Sequence, residues 1–114
     1  MPRAKPNRLE VTQPGLNDLR IDAVLVELLP LRRTPAGVPV IQCVLAHESS
    51  QSEAGRPRKV AVELQTVAVG ELAGVLAAAA PGAKMRVSGF LAAKSMRSRA
   101  PVLHLNKIEF LEGN

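Results

Sequence analysis

The stretch of sequence that decides the fold is residues 60–93, which read VAVELQTVAVGELAGVLAAAAPGAKMRVSGFLAA. Over residues 60–68 apolar residues alternate with polar or small ones, a period of two that is typical of a half-buried strand. Over residues 72–80 the spacing becomes helical among good helix formers, and Pro81-Gly82 ends the pattern. Alternation then returns over residues 84–93. The segment therefore predicts a strand, a helix and a second strand.

Two details of this segment carry further expectations. The predicted helix has one apolar stripe that we expect to face the core, formed by Leu72, Val75, Leu76 and Ala79. Gly89 interrupts the second strand, and an isolated glycine in a strand indicates a bulge or a sharp bend.

The sequence before this segment adds two more strands. Residues 19–25 alternate apolar with polar positions, and the turn-rich residues 32–37 end that strand. Residues 38–48 resume the alternation, with Pro39 at the start, where its missing N–H costs least. The polar residues 49–57 that follow are interpreted as a loop.

The sequence after the segment completes the set. Residues 95–101 form a basic loop and residues 102–111 a fifth strand. Five strands with one short helix between the third and the fourth predict an all-β protein with the OB-fold, a five-stranded Greek-key barrel whose loops after strands one and four bind oligonucleotides. We expect this domain to span residues 16–114 and to follow a flexible basic arm, residues 1–15, which is rich in proline and has no period.

Length and composition narrow the class of protein. The 114 residues, of which 46% are hydrophobic, suffice for a single core, so a wholly disordered chain is excluded. Phe90 and Phe110 are the only aromatic residues, and the core must therefore be aliphatic. The single cysteine, Cys43, excludes an internal disulfide, and the two histidines lack the spacing of a zinc site.

Several classes of function are disfavoured in the same way. The sequence has no segment like a secretory signal and no run of about 20 apolar residues, so we expect a soluble, cytoplasmic protein that does not enter a membrane. We also expect it to hold no metal or cofactor. The sequence has no Gly-rich phosphate loop or nucleophile elbow, and His104 is interpreted as a structural histidine rather than a ligand or base. We therefore expect no enzymatic activity.

Positive charge is concentrated in one part of the chain. The net charge is +5, yet residues 72–108 contain no Asp or Glu at all. Their six cations are Lys84, Arg86, Lys94, Arg97, Arg99 and Lys107. Two further basic groups beside turn signals consist of Arg32 with Arg33 and of Arg56, Arg58 and Lys59. A single such cluster is more often solvated surface, but three on loops favour a polyanionic partner.

Short segments spread along the domain resemble a known family. They are residues 34–39 (TPAGVP), 44–47 (VLAH), 51–55 (QSEAG), 87–90 (VSGF) and 102–105 (VLHL). Together they resemble the PriB family of primosomal replication proteins, which are OB-fold relatives of the bacterial single-stranded DNA-binding proteins. The resemblance covers about residues 17–112.

The resemblance implies a function and a set of contact residues. It implies a homodimer without enzymatic activity that holds single-stranded DNA during the restart of stalled replication forks, works with the primosomal helicase and helps recruit the downstream assembly factor. Carried over by position, the DNA contacts are Arg33, Arg58, Lys94, Arg97 and Arg99. To this set the basic clusters add Lys59 and Arg86, and Phe90 is the only aromatic candidate for base stacking.

Departures from the family keep other functions open. Ala61 stands where a relative has a Trp and Arg56 where it has a Phe, and base stacking on aromatic side chains contributes about 1 to 3 kcal/mol per base. We therefore expect weaker binding that depends more on phosphate charge. One alternative is a protein–protein adaptor in the primosome with weak DNA binding. Another is a general single-stranded DNA-binding protein, although such proteins are expected to end in a long flexible segment with an acidic tip.

The sequence also favours a contact between two copies of the chain. A small barrel with few aromatics leaves strand faces to be covered, and twofold pairing is the commonest oligomer. We expect the partner to cover a strand face such as the one that carries Val102, His104 or Leu111.

Overall fold

The computed structural model describes residues 15–111. The predicted arm, residues 1–15, lies outside that range apart from its last residue. The elements are β1 (Leu19–Leu28), β2 (Arg32–Arg33), β3 (Pro39–Glu53), β4 (Arg56–Val69), α1 (Glu71–Ala77), β5 (Lys84–Ala93) and β6 (Pro101–Phe110).

The five long strands close into a barrel. Neighbouring strands follow the order β1, β5, β6, β4, β3, and β3 pairs again with β1. All of these pairings are antiparallel except that of β4 with β6, where Thr66 lies opposite Leu103. With α1 between β4 and β5, this is the predicted OB-fold, which is confirmed.

The core is aliphatic, as the composition requires. Alternate residues of each strand point inward, and the largest fully buried side chains include Leu25, Ile41, Leu45, Met85 and Leu103. Cys43 lies among them, and burial raises the pKa of its thiol to about 12. The thiol is therefore protonated at neutral pH and is a poor nucleophile and a poor metal ligand.

The helix differs from its prediction in length and in the face it buries. It ends at Ala77 rather than at residue 80, and it buries Ala73 and Leu76, which are one turn apart. Val75, which was expected in the buried stripe, is 42% exposed. A helix of two turns has one narrow contact with the barrel, so the wider stripe predicted from the sequence was wrong at this position.

The predicted loop over residues 49–57 was wrong. β3 and β4 continue through it as a hairpin up to a two-residue turn at Ala54 and Gly55, whose φ angles are 53° and 78°. Positive φ at both positions matches the twist of the paired strands. The far part of this hairpin is exposed on both faces, so it lacks the hydrophobic alternation by which a strand is recognised.

Arg32 and Arg33 were also expected in a turn but form a short strand. Arg32 pairs with Val40 and Arg33 with Pro39, which does begin its strand as predicted. The turn follows them, where the Thr34 N–H donates to the Val38 carbonyl. Because successive strand residues point to opposite faces, the two arginine side chains diverge.

Gly89 marks a bulge, as predicted. The β5–β6 register shifts between Ser88 and Gly89, and a Cβ atom on Gly89 would overlap the main-chain oxygen of His104. Only glycine lets the two backbones approach this closely.

Candidate nucleic-acid interface

A groove lies on the outer face of β3, β4 and β6, beside β2 and the β5–β6 loop. It has a volume of about 170 Å³. The residues that line it are Arg32, Gln42, Gln65, Thr66, Val67, Lys94, Val102 and His104.

The strand register explains which side chains form the floor of the groove. Ile41 and Cys43 point into the core, so Gln42 between them points out, opposite Val67 of β4. A small apolar cluster of Val40, Val67 and Val102 lies under this surface. The floor therefore combines apolar contact area with the amides of Gln42 and Gln65.

Two cations stand at the rim of the groove. Arg32 and Lys94 are both exposed; Arg32 belongs to β2, and Lys94 directly follows β5. Within residues 15–111 the ion pairs are Arg58 with Glu53 and Arg86 with Asp22, so neither rim cation is neutralised by a carboxylate of that range. Both are available to an anionic ligand.

The β5–β6 loop next to Lys94 is a compact turn. The Lys94 N–H donates to the Ala100 carbonyl over 2.8 Å, which closes the loop at its base. The Ser95 hydroxyl oxygen accepts hydrogen bonds from the amides of Arg97 and Ser98. Arg97 and Arg99 are therefore exposed on a short, hydrogen-bonded loop adjoining the groove.

Phe90 lies beside the groove rather than in the core. It is 42% exposed, and its ring stacks on His104 with ring centroids 5.1 Å apart and planes inclined by 9°. The bulge at Gly89 sets this register, in which Phe90 lies opposite His104.

Other predicted contact residues do not line the groove. Arg33 donates to the Gly37 carbonyl, and Arg58 lies on the hairpin, 3.2 Å from Glu53. Lys59 lies on the same face of β4 as Gln65, but Glu63 separates them.

Arg86 is neutralised on another face of the barrel. It donates two hydrogen bonds to Asp22 of β1, at 2.6 and 2.9 Å. These bonds, and then the charge of Arg86, lower the pKa of Asp22, and they raise the pKa of Arg86. The pair is therefore fully ionised at neutral pH, and Arg86 has less positive charge to offer a phosphate.

The structure adds four residues that the sequence did not single out as contacts: Arg32, Gln42, Gln65 and His104. The two glutamines carried a usable signal, since each is a polar residue at an outward position of an otherwise apolar strand. Only the pairing register of β2 with β3 shows that Arg32, rather than Arg33, lines the groove.

Within residues 15–111, no helix is long and apolar enough to cross a membrane. No group of three or more His, Cys, Asp or Glu side chains in that same range is placed to hold a metal ion.

Comparison with known proteins gives consistent results. A model of a family described as another single-strand binding protein family matches residues 17–107. Replication restart protein PriB of Bordetella pertussis is 39% identical over 99 residues, which are 87% of this chain and 92% of that protein. PriB of Neisseria meningitidis serogroup A is 40% identical over 100 residues, 87% of this chain and 99% of that protein.

Solved structures agree with the fold. PriB from Ralstonia solanacearum superposes with a TM-score of 0.78 at 35% identity, over 86% of this chain and all of that one. The single-stranded DNA-binding protein of Plasmodium falciparum, solved with single-stranded DNA, superposes with a TM-score of 0.69 at 15% identity over 90% of this chain and 100% of that chain, a likeness of fold alone.

Proposed function

Because this chain belongs to the PriB family of replication restart proteins, we propose that it binds single-stranded DNA during the restart of stalled replication forks. The observation that carries the proposal is the groove, in which Arg32 and Lys94 flank a partly apolar floor. The proposed activity is binding without catalysis, and the proposed location is the cytoplasm, where the DNA is.

Phosphate charge supplies most of the proposed affinity. Arg32 and Lys94 at the rim adjoin Arg97 and Arg99 on the β5–β6 loop, and residues 72–108 contain no carboxylate to oppose them. Neutralising a phosphate releases a bound counterion, and this release drives binding. The groove floor then needs to supply only contacts with sugars and bases.

We predict a steep dependence of binding on salt. If four cations each neutralise one phosphate, the slope of log K against log salt is about −3, or a loss of about 50-fold between about 50 and 200 mM. Fluorescence anisotropy with a labelled oligothymidylate measures this slope. A slope near zero with binding retained would reject the electrostatic account. Undetectable DNA binding at the lower salt, with helicase binding intact, would instead favour the protein adaptor.

The proposal also includes protein partners. We infer that the protein works with the primosomal helicase and promotes addition of the downstream assembly factor; its membership of a replication restart family supports this proposal. The hairpin of β3 and β4 lies outside the groove and leaves room for such contacts while DNA is bound.

We further propose a homodimer formed through β1. Residues 19–24 of β1 pair with β5 on one side, and β3 joins the other side only from Val24 onward. Within residues 15–111 no strand pairs with that other edge before Val24. On this edge the Asp22 carbonyl accepts a hydrogen bond from the His47 ring. An open edge readily pairs with a second copy. The face predicted from sequence is less suitable because Val102 and His104 line the groove.

Sedimentation velocity tests the dimer. We expect a species of twice the chain mass at micromolar concentration, with slowed hydrogen exchange at the outward-pointing amides of Arg20 and Asp22 as the dimer forms. A monomer at that concentration would contradict the dimer. A dimer in which these two amides exchange freely would place the contact elsewhere.

A further inference from the structure

The stacked pair of Phe90 and His104 is an unusual use of aromatic surface in this chain. Phe90 is one of only two aromatic residues, yet it is 42% exposed instead of filling the aliphatic core. Its ring is nearly parallel to the His104 imidazole, at a centroid separation of 5.1 Å. The two flat rings are thus stacked face to face on the surface of neighbouring strands, β5 and β6, and each keeps its other face for a ligand.

The pair adjoins polar groups that have no partner within the described part of the chain. His104 lines the groove together with Gln42 and Gln65. Between residues 15 and 111, no hydrogen bond engages the ring nitrogens of His104 or the two side-chain amides. A ligand with a flat face and a polar edge matches this combination of stacking surface and free hydrogen-bonding groups.

We propose that Phe90 and His104 form a stacking platform for one unpaired base of single-stranded DNA, whose flanking phosphates are held by Arg32 and Lys94. This proposal rests on the function proposed above and assigns the base contact within it. The two cations stand at the rim of the same groove as His104, so a backbone held by them passes beside the platform.

Single-stranded DNA fits this site better than an aromatic side chain of a protein partner. The rim offers only positive charge from Arg32 and Lys94, which matches a ligand that carries an anion on each side of its ring. A platform of this kind also accepts any base, because every base has a π face.

The test compares two ligands of equal charge, an oligothymidylate of about 16 nucleotides and a deoxyribose-phosphate chain of the same length without bases. The Phe90→Leu variant keeps an apolar side chain but removes the ring. We expect it to lose at least about fivefold in affinity for the oligothymidylate and nothing for the abasic chain. His104→Gln should show the same selective loss.

A matched control is available in the second phenylalanine. Phe110 is 47% exposed, similar to Phe90, and lies six residues beyond His104 on β6, about 20 Å away. Phe110→Leu should bind both ligands as the unmodified protein does. Thermal unfolding of all three variants checks that the domain remains folded.

Tryptophan substitution gives a readout that does not depend on affinity. The chain contains no Trp, so Phe90→Trp introduces a single fluorophore at the platform, and Phe110→Trp introduces one away from it. Stacking of a base should quench the first and leave the second unchanged.

The outcomes separate the two proposals. If Phe90→Leu and His104→Gln bind oligothymidylate normally, or lose affinity equally for both ligands, the stacking platform is overturned while DNA binding stands. If the unmodified protein binds neither ligand at low salt, the proposed function fails and the platform with it. If Phe90→Trp is quenched by a helicase preparation but not by DNA, the surface belongs to a protein partner and the platform for a base is rejected.

Discussion

Replacing Gly89 with alanine is expected to destabilise the domain by about 3 kcal/mol or more, the range of severe single substitutions. The new Cβ atom would overlap the main-chain oxygen of His104, and a backbone atom cannot move aside as a flexible side chain can. To remove this overlap, β5 and β6 must separate at the bulge, which disturbs the sheet that closes the barrel. Urea unfolding followed by circular dichroism measures the change.

Gly74 provides the matched control for this substitution. It lies exposed in α1, and a Cβ atom there would meet nothing within 4 Å. Alanine at this position should stabilise the domain by up to about 1 kcal/mol because it is the better helix former. If Gly89→Ala proved as stable as Gly74→Ala, the close approach of the two strands would be refuted.

The barrel was predictable because its strands carry a local signal. The fourth predicted strand coincides with Lys84–Ala93, and its single glycine lies at the bulge. The helix was predicted in the right part of the chain because Pro81 and Gly82 follow a run of good helix formers and end it. Each of these features is specified by neighbouring residues.

The candidate site was less predictable because it depends on pairing between distant segments. Arg32 lines the groove and Arg33 does not, and only the register of Arg32 with Val40 decides between them. His104 was interpreted as a structural residue. Its position opposite Phe90 follows from the bulged register of β5 and β6, which no local pattern reveals.

The hairpin was missed for a different physical reason. Residues 49–53 and 56–60 pair across a tight turn, but nearly all of their side chains are exposed. When both faces of a strand are solvated, its sequence has no hydrophobic alternation and cannot be distinguished from that of a polar loop.

Reversing the two cations at the rim of the groove is expected to reduce affinity for single-stranded DNA by about 30-fold or more at low salt. The variant is Arg32→Glu combined with Lys94→Glu. Each reversal replaces an attraction to phosphate by a repulsion, a change of about 2 kcal/mol for charges 4 Å apart in water, before screening by salt. Both side chains are exposed, so the domain should remain folded.

The direct test of the DNA-binding groove compares this variant with one of equal net charge, Arg33→Glu combined with Arg58→Glu. Neither of these arginines lines the groove, since one donates to the Gly37 carbonyl and the other pairs with Glu53. Fluorescence anisotropy with oligothymidylate should show the loss of about 30-fold for the rim variant and a loss of only a few-fold for the control. Equal losses would mean that affinity follows net charge rather than the groove, and a rim variant that binds normally would place the DNA elsewhere.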